Sequence, residues 1–80
     1  MEKLIEERMR EVISAVFNIP VNEIRTDASS DNIESWDSLK HMNMVSALEE
    51  EFLIEFDDKE IFELLNYELI KTIVLEKIEN

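Results

Sequence analysis

The chain contains no glycine, and Pro20 is its single proline. Tight hairpins that need positive φ are therefore unsupported, and the backbone menu narrows toward helices. At 80 residues it is expected to form one domain over 1–80. Such a domain buries only about 60% of its unfolded surface, which leaves little room for a deep, substrate-enclosing site. Hydrophobic residues make up 45%, enough for a globular core and against disorder.

Hydrophobic periodicity supplies the helices. Ile5, Met9, Val12, Ile13, Val16 and Phe17 recur at three- and four-residue spacing and predict a first helix over about Glu2–Phe17. Glu6 and Arg10, four apart, are expected to pair weakly on its outer side. Pro20 ends that helix by Ile19. From Val21 to Trp36 no helical period holds. Asn22, Thr26, Asp27, Ser29, Ser30, Asp31 and Asn32 mark turns, with Ile24, Ile33 and Trp36 as anchors and a short helical turn near Val21–Ile24. A second helix is expected from Asp37 or Ser38 to about Phe52, since both residues are good N-caps. Ile54-Glu55-Phe56 crosses over in extended form. Asp57 with Glu60 resembles a capping box and opens a short helix to about Leu65. Asn66 caps a last helix whose face is Leu69, Ile70, Ile73, Val74 and Ile78. The expected fold is all-α: a small four-helix bundle with three long helices, one short helix, and a long loop between the first and second.

Composition excludes several functions. With no cysteine there is neither a disulfide framework nor a thiolate metal site. Without glycine there is no phosphate-cradling loop. The acidic clusters lack the ligand spacing of a calcium loop, so no metal site is expected. The apolar runs are too short to cross a bilayer, and the charged start has no signal-peptide core, so a soluble, cytoplasmic protein is expected. Twenty acidic against 8 basic residues give a net charge of −12. That disfavours nucleic acid and anionic membranes and favours basic protein surfaces.

The second helix carries the chemistry. At about 100° per residue, Met44, Val45, Leu48 and Phe52 form one arc with His41 inside it. Leu39 and Met42 fall nearly opposite, together with Asn43, Ser46 and Glu50. This apolar pair points away from the core and is either ordinary exposed surface, which is common and needs no explanation, or a small docking patch. Glu49-Glu50-Glu51 lies in the last turn, where the helix dipole disfavours anions. In so acidic a chain this run is either a plain solvated face or, since such a local violation often marks function, a landing site for basic side chains of a partner. Ser38 is either a plain N-cap or a hydroxyl placed for modification, since a phosphodiester at a helix N-terminus sits among free backbone N–H groups. Nothing nearby is placed to activate it as a nucleophile, so no catalytic residue is expected.

Asp37-Ser38-Leu39 resembles the Asp-Ser-Leu signature of acyl carrier proteins. The longer run Ser35-Trp36-Asp37-Ser38-Leu39-Lys40-His41 is similar to the Trp-Asp-Ser-Leu version of stand-alone carriers outside core fatty-acid synthesis. The likeness continues through Leu48-Glu49-Glu50-Glu51-Phe52 and Asp57-Asp58-Lys59-Glu60-Ile61-Phe62, and so covers essentially the whole chain. It implies that Ser38, with Asp37 beside it, is the attachment site for a covalent 4′-phosphopantetheine derived from coenzyme A. It also implies a partner-recognition helix with Leu39, Met42, Glu49 and Glu50 at matching positions. Ser35-Trp36 replaces the family's frequent Gly before the signature. Lys40, Asn43 and Ser46 depart from fatty-acid carriers, which leaves open whether the partners are fatty-acid synthase enzymes.

The expected function is that of an acyl carrier protein, a non-enzymatic monomer that holds acyl or aminoacyl groups as thioesters. Its expected partners are a phosphopantetheinyl transferase and acyl-activating or acyl-transferring enzymes with basic docking patches. The rival is an acidic helical inhibitor or interaction module for a basic enzyme, which has no need of an exposed serine at a helix start.

Overall fold

The computed structural model describes residues 2–25 and 27–79. Four α-helices and one 3₁₀ turn follow in the expected order. They are α1 (Glu2–Phe17), the turn Val21–Glu23, α2 (Ser38–Phe52), α3 (Asp58–Glu63) and α4 (Tyr67–Glu79). Extended pairing among the described residues is one isolated antiparallel bridge, Ser29 to Asn66. Thr26, one of the expected turn residues, lies outside the described residues.

Helix boundaries follow local chemistry. Beyond α1, Asn18 takes a left-handed φ of 58°, and the Ile19 N–H reaches back to the Ser14 carbonyl at 3.2 Å. Asparagine tolerates that backbone better than most residues, and Pro20 then keeps the chain from resuming the helix. The capping box of α3 is complete. The Glu60 N–H donates to the Asp57 carboxylate at 2.8 Å, and the Asp57 N–H donates to the Glu60 carboxylate at 3.0 Å. Asn66 caps α4 by accepting from the Leu69 N–H at 2.8 Å.

One core cluster joins the elements. It takes Met9, Ile13 and Phe17 from α1, Met44, Val45 and Leu48 from α2, and Tyr67, Ile70, Ile73 and Val74 from α4. Ile24 and Ala28 of the loop and Phe56 and Leu64 on either side of α3 complete it. Ile5, Val12, Val16, Ile33, Trp36 and Phe52 pack around it, half-buried. α3 itself has no buried residue.

Two expectations for α4 fail. Leu69 and Ile78 are exposed, and Tyr67 is fully buried instead. The buried stripe is Tyr67, Ile70, Ile73 and Val74, so Leu69 falls about 100° off its axis. Tyr67 enters the core because its hydroxyl has a partner. It donates to the Glu6 carboxylate at 2.7 Å, with Lys71 Nζ 3.6 Å from the same carboxylate and the Arg10 guanidinium 5.3 Å above the ring. Glu6 therefore faces α4 rather than the outer side, and the charge of Arg10, four residues on, still acts on its carboxylate there. Burial and the Glu6 bond push the Tyr67 phenol up to about 12, and the Tyr67 bond holds the Glu6 carboxyl below its ordinary range.

Candidate functional site

Ser38 is the first residue of α2, and the loop before it is fastened on both sides. The Ser35 hydroxyl donates to the Phe17 carbonyl at 3.1 Å, and the Trp36 ring packs on Phe17 with centroids 4.8 Å apart. Further back, the Ala28 carbonyl accepts from the Tyr67 N–H at 2.8 Å, and the Ser30 N–H donates to the Leu65 carbonyl at 3.0 Å. The loop thus spans from the end of α1 to the α3–α4 junction and delivers Asp37 as the cap of α2. The Asp37 carboxylate accepts from the Lys40 N–H at 2.8 Å, which leaves Ser38 exposed at the positive end of the helix.

Beside Ser38 opens a mainly apolar cleft of about 660 Å³. Trp36, Asp37, Ser38, His41 and Met42 line one wall, Asp58, Ile61, Phe62 and Leu65 the other, and Ser30 closes an end. A larger depression of about 850 Å³ lies behind the loop, but its Ser35 hydroxyl is already bonded to Phe17. No group of three or more His, Asp and Glu side chains is placed to hold a metal ion among the described residues.

The outward arc of α2 is arranged as its sequence predicts. Leu39 is 70% and Met42 48% exposed, and Asn43, Ser46 and Glu50 share the exposed surface. The acidic run is divided by use. Glu49 is half-buried, and its carboxylate accepts from the Phe56 N–H at 2.8 Å, fastening the segment after α2. Glu51 accepts from Arg8 Nε at 2.6 Å, while the Arg8 guanidinium lies 5.0 Å from the Phe52 ring centroid. Glu50 alone of the three is outward without an internal partner.

His41 is half-buried and fully engaged. Its Nδ1 accepts from Trp36 Nε1–H at 3.0 Å, and its Nε2 lies 2.8 Å from the Ile61 carbonyl oxygen. An indole N–H only donates and a carbonyl only accepts, so the ring is neutral with its proton on Nε2. Both ring nitrogens are thus engaged away from Ser38, and one Asp37 carboxylate oxygen is engaged by the Lys40 N–H. Sequence reading placed His41 on the core side but missed this bridge, and it also missed Phe62, 76% exposed on the facing wall. The adjacent pair Ile61-Phe62 gave no signal that separates the two, since neighbours on a helix can both be buried, as Met44-Val45 and Ile73-Val74 are.

A family model described as the phosphopantetheine attachment site matches residues 7–72, most of the chain. The acyl carrier protein of Buchnera aphidicola subsp. Schizaphis graminum is 38% identical over 56 residues, covering 70% of this chain and 71% of that one. The chain belongs to the acyl carrier protein family. The acyl carrier protein of Buchnera aphidicola subsp. Acyrthosiphon pisum (strain Tuc7) is 41% identical over 58 residues, with 72% of each chain covered. The solution NMR structure of holo acyl carrier protein from Geobacter metallireducens superposes with a TM-score of 0.82 at 27% identity, covering 92% of this chain and 85% of that one. Acyl carrier proteins are carriers, not enzymes, and bear a covalently attached 4′-phosphopantetheine. The family works with a phosphopantetheinyl transferase and with biosynthetic enzymes. No described helix of this carrier is long and apolar enough to cross a membrane.

Proposed function

We propose that Ser38 is the attachment point of this carrier and that residues 1–80 form one monomeric, cytoplasmic carrier domain. The observation that carries the reading is an exposed hydroxyl at the start of α2, beside an apolar cleft and just before the outward apolar pair Leu39 and Met42. The residues fit the group. A phosphodiester on Ser38 meets the free N–H groups and positive dipole end of α2, and the apolar cleft walls suit an acyl-bearing arm. When bound, 4′-phosphopantetheine supplies a thiol that holds acyl or aminoacyl groups as thioesters on a flexible tether. The chain's own part is to cap α2 with Asp37, expose Ser38, and present Leu39, Met42, Asn43, Ser46 and Glu50 to partners. Glu49 stands at the edge of that face, with one carboxylate oxygen held by the Phe56 N–H.

The partners are a phosphopantetheinyl transferase and acyl-activating or acyl-transferring enzymes with basic patches. Their contacts are weak and salt-sensitive, because a shuttle must release each partner. The test of the docking face is the rate of transferase-catalysed modification. Leu39→Asp and Glu50→Lys should each lower kcat/KM by about tenfold or more, the effect of losing about 1.4 kcal/mol of contact, with circular dichroism and melting unchanged. Unchanged kcat/KM in both would remove the docking role from this face.

A further inference from the structure

α3 is too short to hold itself together, since isolated helices below about a dozen residues are marginal in water. It contributes no fully buried side chain, and Ile61 alone of its residues packs half-buried against the core. What holds it is its capping box, the buried Phe56 and Leu64 at its flanks, the ion pair from Lys77 Nζ to Glu60 at 2.7 Å, and His41 Nε2 on the Ile61 carbonyl. Of these ties, the His41 bond is the one that continues into the loop, through Nδ1 to Trp36. A single imidazole thus straps the loop, α2 and α3 together at the cleft beside Ser38. His41 is the sole histidine of the chain.

We propose that His41 is a positioning residue whose neutral ring latches α3 against the Trp36 loop and whose protonation releases that latch. A proton on Nδ1 turns an acceptor into a donor facing the Trp36 N–H, and two donors cannot bond. The Ile61 bond survives protonation, but the loop is no longer joined to it. The charged groups facing the ring from its neighbouring elements are Asp37, on the loop side, and Asp58 of α3, both lining the cleft. Lys40 lines the depression behind the loop, and Glu60 is turned to Lys77. The surroundings of the latch are therefore anionic, and acid releases it.

Resting on the attachment at Ser38, a second consequence follows. Ser38 and His41 lie three apart on one helix and line the same cleft, so a phosphodiester on Ser38 places one more anion beside the ring. Modification then shifts release to higher pH, and the cleft walls loosen more readily once the arm is attached.

The test is an NMR titration of the ¹⁵N-labelled full chain from about pH 8 to about pH 5, the range in which a histidine switches. In the apo form, ring nitrogen shifts should show the Nε2–H tautomer at the upper end. The Trp36 indole N–H and the Phe62 amide, which follows the Ile61 carbonyl, should move together with the ring. His41→Gln, which can both accept and donate but does not titrate, should hold both resonances fixed, whereas His41→Ala should show the released Trp36 indole position throughout. In phosphopantetheinylated protein, verified by mass, the common midpoint should rise by about half a pH unit. An Nδ1–H tautomer, or a ring that titrates while Trp36 and Phe62 stay still, would overturn the latch. An unchanged midpoint in verified holo protein would overturn the coupling to Ser38. Failure to add the group at all would strike the attachment reading, while the apo titration would still decide the latch.

Discussion

Leu53 closes α2 with a left-handed φ of 56° and 90% of its surface exposed. A β-carbon in that region costs roughly 1–2 kcal/mol, and an exposed leucine gains no burial to offset it. Leu53→Gly should therefore raise stability by about 1 kcal/mol in urea unfolding, after allowing for glycine's larger unfolded-state entropy. No gain would mean that the residue is not strained there. Tyr67 shows the opposite case, a polar group made buriable by one bond to Glu6. Glu6 has a lowered folded pKa, so its contribution is present above the ordinary value of 4.5 and is lost as pH falls through the folded one. Tyr67 has a raised one, so its contribution is present below 10.0 and is lost as pH rises through about 12. Tyr67→Phe should cost about 1 kcal/mol near neutral pH, the net worth of such a bond. The gap to the wild type should narrow at both acid and alkaline ends, and a gap constant with pH would contradict the assignment.

At the scale of elements, the end of α2 separates structural acids from exposed ones. Glu49→Ala leaves the Phe56 N–H without its charged acceptor and should cost about 1.5 kcal/mol. Glu50→Ala should stay within about 0.5 kcal/mol. Thermal unfolding of the two variants distinguishes them, and equal effects would mean that the Phe56 anchor carries no weight. The three long helices were legible in the sequence because periodicity and caps agreed, with Asp57–Glu60 and Asn66 making the predicted bonds. Phe56 and Leu64 were not, since they flank a helix too short to show a period and are buried by the path of the chain. Leu69 and Ile78 misled because a broad apolar arc fits several faces, and the Tyr67–Glu6 contact, 61 residues apart in sequence, selects one.

At the scale of the whole molecule, a net charge of −12 favours basic surfaces in any partner, and in the proposed function the exposed apolar side chains beside Ser38 supply the contact. The exposed helix start at Ser38 was legible because its cap is local and the exposed arc after it depends on helix geometry alone. The His41 bridge was not, because it requires the Ile61 carbonyl to arrive from a helix 20 residues further along. The central claim is that Ser38 is a hydroxyl presented for another enzyme to modify. Intact mass spectrometry after incubation with coenzyme A and a broad-specificity phosphopantetheinyl transferase tests it most directly. The wild type should gain one phosphopantetheine and Ser38→Ala none. No mass gain with a transferase active on a control carrier, or a gain that persists in Ser38→Ala, would contradict it.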